Sequence, residues 1–282
     1  MIKYYGAHVS CAGGLENAIK AAEFLEINSI QIHPTAPQQW NFKPFEPGIE
    51  EKYLKAKSVS QVKKVFFHAI YLINLATPDE DKRKRAMLSL RHYLDLADRV
   101  DATGVIFHVG SLKDEPDEEV GFKRAALAID EILEKAKGKS RLILEVSAGA
   151  GRVIGAKMED LRVIYDLCEH KERVGFGLDT QHMYASGYDF RDNQKQVIDD
   201  IGKIFGFEKV WSVHLNDSKS KLASKVDRHE NLGAGEIGKD AIVSLLHDER
   251  FKEIPFVLET PAMKGLDTGK VEVDTFKEFI SA

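Results

Sequence analysis

Hydrophobic and polar positions follow two rhythms along the chain. Short apolar, β-branched runs read as strands: Tyr4–Val9, Ser29–His33, Lys64–His68, Gly104–Val109, Leu142–Val146, Val174–Asp179, Val210–Leu215 and Pro255–Glu259. Runs of this kind are expected of parallel strands buried on both faces. Between and after them the apolar positions return at helical spacing, over Leu15–Leu25, Ile49–Ser60, Asp79–Val100, Glu118–Ala136, Glu159–Cys168, Asn193–Phe205, Asp240–Leu246 and Val273–Ile280. In Asp79–Val100 the stripe is Met87, Leu88, Leu90, Leu94, Leu96 and Ala97. Unbroken strand–helix alternation over 282 residues predicts an α/β fold, a (β/α)8 TIM barrel. A doubly wound open sheet would want a GxGxxG turn after an early strand, and none stands there. No Pro/Gly/Ser-rich linker divides the chain, so residues 1–282 read as a single domain. Two connections are long, Thr180–Arg191 and Asn216–Lys239, and long βα loops belong on a barrel's functional face.

Composition narrows the class. With 43% hydrophobic and 30% charged residues the chain is an ordinary soluble globular protein. No apolar run approaches the roughly 18 residues of a membrane span. Met1–Gly6 lacks a basic-then-apolar signal pattern, and the two cysteines, Cys11 and Cys168, form no CxxC motif. A reducing, cytoplasmic setting with two inert thiols is the expectation. The formal net charge of −5 argues weakly against nucleic acid as a partner.

The strand ends change that picture. The strands end at or beside His8, His33, His68, His108, Glu145, Asp179, His214 and Glu259. In a parallel barrel these ends converge on one rim. An unpaired buried carboxylate or imidazole costs several kcal/mol, so a ring of them calls for positive charge at its centre. The long connections add His182, three residues past Asp179, and the pair Asp227 and His229, which an extended segment points the same way. His68, His108, Glu145, Asp179, His182, His214, Asp227, His229 and Glu259 thus form a sulfur-free donor set of imidazoles and carboxylates. Zn²⁺ suits it best, with Mn²⁺ or Fe²⁺ as alternatives, and its size suits two or three ions with one carboxylate bridging. His8 and Asp217 read as partners of ligands rather than ligands, Asp217 alternatively as a loop cap. His33 is either a loop residue near the rim or without a role. His92, His170 and His247 fall on or beside helices and carry none.

At these residues the sequence resembles the endonuclease IV family of apurinic/apyrimidinic endonucleases. The resemblance rests on an ordered series of segments: Gly6-Ala7-His8-Val9-Ser10 with Gly13-Gly14; Tyr71-Leu72-Ile73-Asn74-Leu75; Phe107-His108-Val109-Gly110-Ser111; and Leu144-Glu145 with Ala148-Gly149. It continues through Leu178-Asp179-Thr180-Gln181-His182, Gly187-Tyr188-Asp189, His214-Leu215-Asn216-Asp217-Ser218-Lys219, Val226-Asp227-Arg228-His229-Glu230 and Leu258-Glu259-Thr260. The resemblance implies three zinc ions. His68, His108 and Glu145 would hold one. Glu145, Asp179, His214 and Glu259 would hold the second, with Glu145 bridging, and His182, Asp227 and His229 the third. It also implies the reaction, hydrolysis of the phosphodiester 5′ to an abasic site in duplex DNA, with Glu145, Asp179 and Glu259 at its centre. The products would be a 3′-hydroxyl and a 5′-deoxyribose phosphate. Removal of 3′-blocking groups would be a related activity, and the enzyme would be a monomer.

Physics accommodates that role. Divalent ions lower the pKa of water from 15.7 toward about 7 and would gather positive charge on one rim of an acidic chain. Lys219, Lys221, Lys225 and Arg228 share the long loop and read as a phosphate grip or as a solvated surface. Tyr71 and Leu72 match the family's wedge, which replaces stacking lost at a lesion; the bland reading is a buried corner. Two departures stand out. The loop His33-Pro34-Thr35-Ala36-Pro37-Gln38-Gln39-Trp40 carries Gln38 where the family has an arginine that enters the base stack, although Gln39 and Trp40 match. Gln181 stands where the family often has cysteine. A sugar isomerase or epimerase on a similar barrel is the rival enzyme, with fewer ions and mostly carboxylates. A catalytically silent DNA-binding or metal-storage module is the rival outside enzymes.

Overall fold

The computed structural model describes residues 1–40 and 43–282. Strands β1 (Tyr5–His8), β2 (Ser29–Ile32), β3 (Lys64–His68), β4 (Gly104–Phe107), β5 (Leu142–Glu145), β6 (Val174–Asp179) and β7 (Val210–Leu215) lie in sequential order around a closed barrel. The long connection after β7 contributes β8 (Asp217–Ser218) and β9 (His229–Glu230) as a small antiparallel pair, and β10 (Phe256–Leu258) closes the barrel between β7 and β1. Every neighbouring pair in the barrel is parallel. Helices α1 (Glu16–Leu25), α2 (Glu51–Ser58), α3 (Glu80–Arg99), α4 (Glu118–Lys135), α5 (Met158–Leu167), α6 (Thr180–Ser186), α7 (Gln194–Ile204), α8 (Lys239–Leu246) and α9 (Leu266–Ser281) fill the crossovers and the C-terminal end. The α/β TIM barrel expected from the alternation is the observed fold.

The barrel interior holds an apolar layer of its own. Phe66, Ile106, Ile143 and Val257 form an apolar cluster of their own, apart from the core between strands and helices. Each stands two residues before His68, His108, Glu145 and Glu259 respectively. Side chains two apart share a face of a strand, so the hydrophobic plug sits directly beneath the ionisable rim. Burial of the plug's side chains, worth about 1.5–3 kcal/mol each, anchors the layer on which the site stands. At Gly6 a Cβ would lie 1.8 Å from the Ser29 carbonyl oxygen, so only glycine lets β1 approach β2 this closely.

Three departures from the sequence expectation have physical causes. Thr180–Arg191 is not all loop, because α6 occupies Thr180–Ser186. Its residues are buried almost all round, so the stretch lacks the polar face that gives a helix its periodic signature. Asp179 caps it by accepting from His182 N at 2.8 Å, and Gly187 ends it at φ 112°. The last helix begins at Leu266 rather than Val273. Its first turns face solvent and carry no apolar stripe. They are held by Thr268 Oγ1 donating to the Ala262 and Gly265 carbonyls and by Lys270 bridging Glu26 and Asp274. Asn216–Lys239 is pinned by the β8–β9 pair, Asp217 facing Glu230 and Ser218 facing His229. No helix among the described residues is long and apolar enough to cross a membrane.

Candidate metal centre

All nine side chains singled out as donors meet at the C-terminal end of the barrel. Three groups converge closely enough to hold ions: His68, His108 and Glu145; Glu145, Asp179, His214 and Glu259; and Asp179, His182 and His229. Asp227 closes on the last group, with its carboxylate 3.5 Å from His182 Nε2 and 3.4 Å from His229 Nε2. Glu145 belongs to two groups. Its Oε2 lies 3.1 Å from His68 Nε2 and 3.4 Å from His108 Nε2, and its Oε1 lies 2.6 Å from His214 Nδ1.

Each of the five imidazoles has one nitrogen secured outside the cluster and the other turned into it. His68 Nδ1 donates to the Ala69 carbonyl at 2.8 Å, His182 Nδ1 to the Val146 carbonyl at 3.1 Å, and His229 Nδ1 to the Glu259 carbonyl at 3.2 Å. His108 Nδ1 donates at 3.2 Å to Ser147 Oγ, whose own hydrogen goes to the Ile154 carbonyl. These four present Nε2 to the carboxylates. His214 is reversed: Nε2 donates to Gln31 Oε1 at 2.7 Å and Nδ1 faces Glu145, Glu259 and Asp179. An outer acceptor that fixes ring and tautomer is the arrangement metal-ligating histidines require. His229 Nε2 is moreover buried with no hydrogen-bond partner, as expected of a nitrogen kept for a metal.

The carboxylates are oriented as well. Asp179 spends Oδ1 on the α6 N-terminus and accepts from Asn216 Nδ2 on Oδ2 at 2.8 Å. Asn216 Oδ1 in turn accepts from Glu259 N at 3.1 Å. Glu259 Oε1 accepts from Gln31 Nε2 at 2.5 Å.

Electrostatics mark the same place. Burial pushes the Glu145 carboxyl up, but His108 and His214 outweigh it and hold the group well below the usual range. Glu259 behaves alike, burial opposed by His214, His8 and His68. Burial takes His108 down to about 4, whereas His214 rises to about 9 because Glu259 and Glu145 overcome its burial. His68 and His182 are also raised by their carboxylate neighbours against burial. The carboxylates thus favour positive charge beside them, which divalent cations would supply. The donor set therefore fits divalent ions.

Around the centre the outcome is mixed. His8 lies against the site, with Nδ1 accepting from Gln31 Nε2 at 3.0 Å and 3.6 Å from Glu259 Oε1. Asp217 does not touch a donor. It is a loop cap, accepting from the backbone of Ser218, Gly235, Ile237 and Gly238. It follows Asn216, so the alternation of an extended segment turns it away from the site and turns Asn216 toward it. His33 is packed at the rim, Nδ1 donating to the His68 carbonyl and the ring 4.6 Å from His8 and 5.8 Å from Tyr71 between centroids; burial takes it down to about 3.

Tyr71 is 61% exposed and Leu72 41%, so this corner is not buried. Tyr71 N donates to the Pro37 carbonyl, tying the corner to the Gln38-Gln39 loop. Tyr71 borders both a cleft of about 1000 Å³, which also holds His8, His33, Arg228 and Glu259, and one of about 460 Å³ with His108, Asn74 and Ser147. Gln38, Gln39, Lys219, Lys225 and Arg228 are all exposed on the loops of this face. Lys225 has φ 57°, a conformation side chains rarely adopt. Gln181 is buried, and its Nε2 donates to Ser218 Oγ, Ser220 Oγ and the Val226 carbonyl, so it pins the loop that carries Asp227. Gln31, Asn216 and Ser147 join the site as partners of the donors. All three stand two residues from a rim residue, Gln31 within its strand before His33 and Asn216 and Ser147 just past His214 and Glu145, so strand alternation marks them for the rim face.

Fold and rim together define a xylose isomerase-like TIM barrel, and the family model of that description matches residues 16–278. Among curated proteins the chain is 37% identical over 264 residues to the "Probable endonuclease 4" of Campylobacter fetus subsp. fetus (strain 82-40), covering 92% of this chain and 93% of that one. It is 35% identical to the "Apurinic-apyrimidinic endonuclease" of Caenorhabditis elegans, over 93% of this chain and 67% of that one. The crystal structure of endonuclease IV from Thermus thermophilus superposes with a TM-score of 0.87 at 30% identity, over 99% of both chains. The chain belongs to the endonuclease IV family.

Proposed function

We propose that the protein is an AP endonuclease of DNA repair that hydrolyses the phosphodiester 5′ to abasic sites in duplex DNA, leaving a 3′-hydroxyl and a 5′-deoxyribose phosphate. Repair of 3′-blocked ends belongs to the same chemistry. The cofactor is three zinc ions, held by His68, His108 and Glu145; by Glu145, Asp179, His214 and Glu259; and by His182, Asp227 and His229. Bound there, the ions supply an ionised water near neutral pH and offset the charge of the phosphate. Glu145 would contribute to two of the ion sites, and Asp179 and Glu259 would complete the acidic floor. Because the histidines and carboxylates are aligned by outer partners before substrate arrives, little reorganisation is left for the reaction itself.

Tyr71 and Leu72 stand exposed above the donors and fill the gap an abasic site leaves in the stack. Lys219, Lys225 and Arg228 grip the phosphates, and Gln38 and Gln39 approach the bases from the other side. The enzyme acts as a monomer in the cytoplasm.

One observation carries this reading: five imidazoles, each with its outer nitrogen on an oxygen acceptor and its inner nitrogen facing a carboxylate within 3.5 Å. So nitrogen-rich a set favours zinc over the carboxylate-dominated site of a sugar isomerase. Elemental analysis of purified protein, paired with incision of one synthetic abasic duplex, tests it. Three zinc per chain and a single cut with the stated ends are expected. One or two manganese or magnesium ions and no cut would return the isomerase, and binding without incision in the fully loaded protein would return the silent module.

A further inference from the structure

We propose that Gln31 is the positioning residue that decides which nitrogen of His214 serves the metal centre and that holds the Glu259 carboxylate beside it. The inference rests on the zinc reading above but concerns a side chain that is neither a ligand nor ionisable.

Gln31 lies on β2, completely buried at the barrel axis. Its amide reaches three site residues at once. Oε1 accepts from His214 Nε2 at 2.7 Å, while Nε2 donates to Glu259 Oε1 at 2.5 Å and to His8 Nδ1 at 3.0 Å. Both amide hydrogens and the oxygen are thereby used, and the directions are mutually consistent. Turning the amide over would face its NH2 against the His214 N–H and its oxygen against the Glu259 carboxylate, so the network admits one orientation.

That orientation has a consequence for His214 alone. The other four imidazoles are anchored through Nδ1 and present Nε2. Gln31 captures Nε2 of His214, so Nδ1 is the atom left for Glu145, Asp179 and Glu259 to share with an ion. Without the Gln31 oxygen, the Nε2 hydrogen would have no acceptor in a buried site, and either tautomer would serve equally. The same loss frees Glu259 Oε1. Outer partners of this kind are worth about 10–100-fold in metal affinity.

The test compares wild type, Q31M and Q31E as full-length zinc-loaded proteins in competition with a chromogenic chelator. Zinc is counted as it leaves, and nitrogen-15 NMR reads the His214 ring. Q31M keeps the volume but removes every hydrogen bond. It is expected to release one zinc at about tenfold or more lower chelator concentration, with the others unmoved, and to lose the single Nε2–H state of His214. Zinc-free Q31M is melted beside wild type, and zinc released at chelator concentrations where the variant is still folded reports positioning rather than stability. Q31E keeps an oxygen for His214 but sets its other oxygen against Glu259, so it is expected to retain the Nε2–H state that Q31M loses while holding zinc less tightly than wild type. A Q31M release curve that superposes on wild type overturns the proposal, as does a Q31E protein that loses the Nε2–H state. Should Q31M not fold, loss of the Nε2–H state in Q31E overturns it and its persistence supports it. A wild-type protein that takes up no zinc sinks the reading of the centre, while the NMR comparison still judges Gln31.

Discussion

Glu145 Oε1 lies 2.6 Å from His214 Nδ1, while the other oxygen of the same carboxylate faces His68 at 3.1 Å. One side chain therefore ties β3, β5 and β7 together across the barrel mouth. Glu145→Ala is expected to lose at least one zinc per chain by elemental analysis. Because an ion supplies several kcal/mol of charge stabilisation, incision of an abasic duplex should fall about 10²-fold or more. Wild-type incision by that variant would refute the shared role of Glu145.

Among the described residues Tyr71 is the most exposed aromatic beside the donors, and it lines both clefts. A base stacked on an aromatic ring contributes about 1–3 kcal/mol. Tyr71→Ala should therefore weaken binding to abasic duplex roughly 5–150-fold and leave single-turnover cleavage at saturation nearly unchanged. Equal binding of the damaged duplex by variant and wild type would rule out the wedge.

The Gln38 loop is held near Tyr71 by the bond from Tyr71 N to the Pro37 carbonyl. Gln38 has neither the charge nor the flat face of an arginine. Gln38→Arg should tighten binding to abasic duplex about fivefold or more at fixed salt, with the cleavage step unaltered. Titrations at several salt concentrations measure it, and an affinity that stays flat would place Gln38 outside the DNA footprint.

Cys168 is buried, which pushes its thiol up to about 12. Above roughly pH 9 an unfolded chain gives up this proton while the folded chain keeps it. The folded state then binds more protons, so stability falls as pH rises from about 9 to 12, by about 1.4 kcal/mol per pH unit at most. Urea unfolding of wild type and Cys168→Ala at pH 8 and pH 10.5 isolates the contribution. The two should lose stability unequally, wild type more steeply; parallel losses would show that the thiol is not sheltered. Iodoacetamide should leave Cys168 unmodified at pH 8 until the chain is unfolded.

Much of the fold and of the donor set is legible in the sequence. The alternation of apolar runs and helical stripes dictates the barrel, because parallel strands buried on both faces and helices with one apolar side have few ways to cover each other. Barrel topology then sends every strand's C-terminal end to one rim, so residues as distant in sequence as His68 and Glu259 could be assigned to one site from their strand positions alone. What only the tertiary structure decided is orientation. Alternation sends Asp217 and Asn216 to opposite sides, but only the fold supplies their partners, backbone N–H groups of Gly235, Ile237 and Gly238 for the first and Asp179 for the second. Gln31 is one more polar residue in an apolar strand until closure of the barrel brings β7 opposite it. Helix α6 has no periodic signature because surrounding elements bury nearly every face. Residue type and spacing select which groups can meet, since they follow from the chain's local geometry. Which atom of each group faces inward depends on hydrogen bonds between distant strands, and those exist only once the barrel has closed.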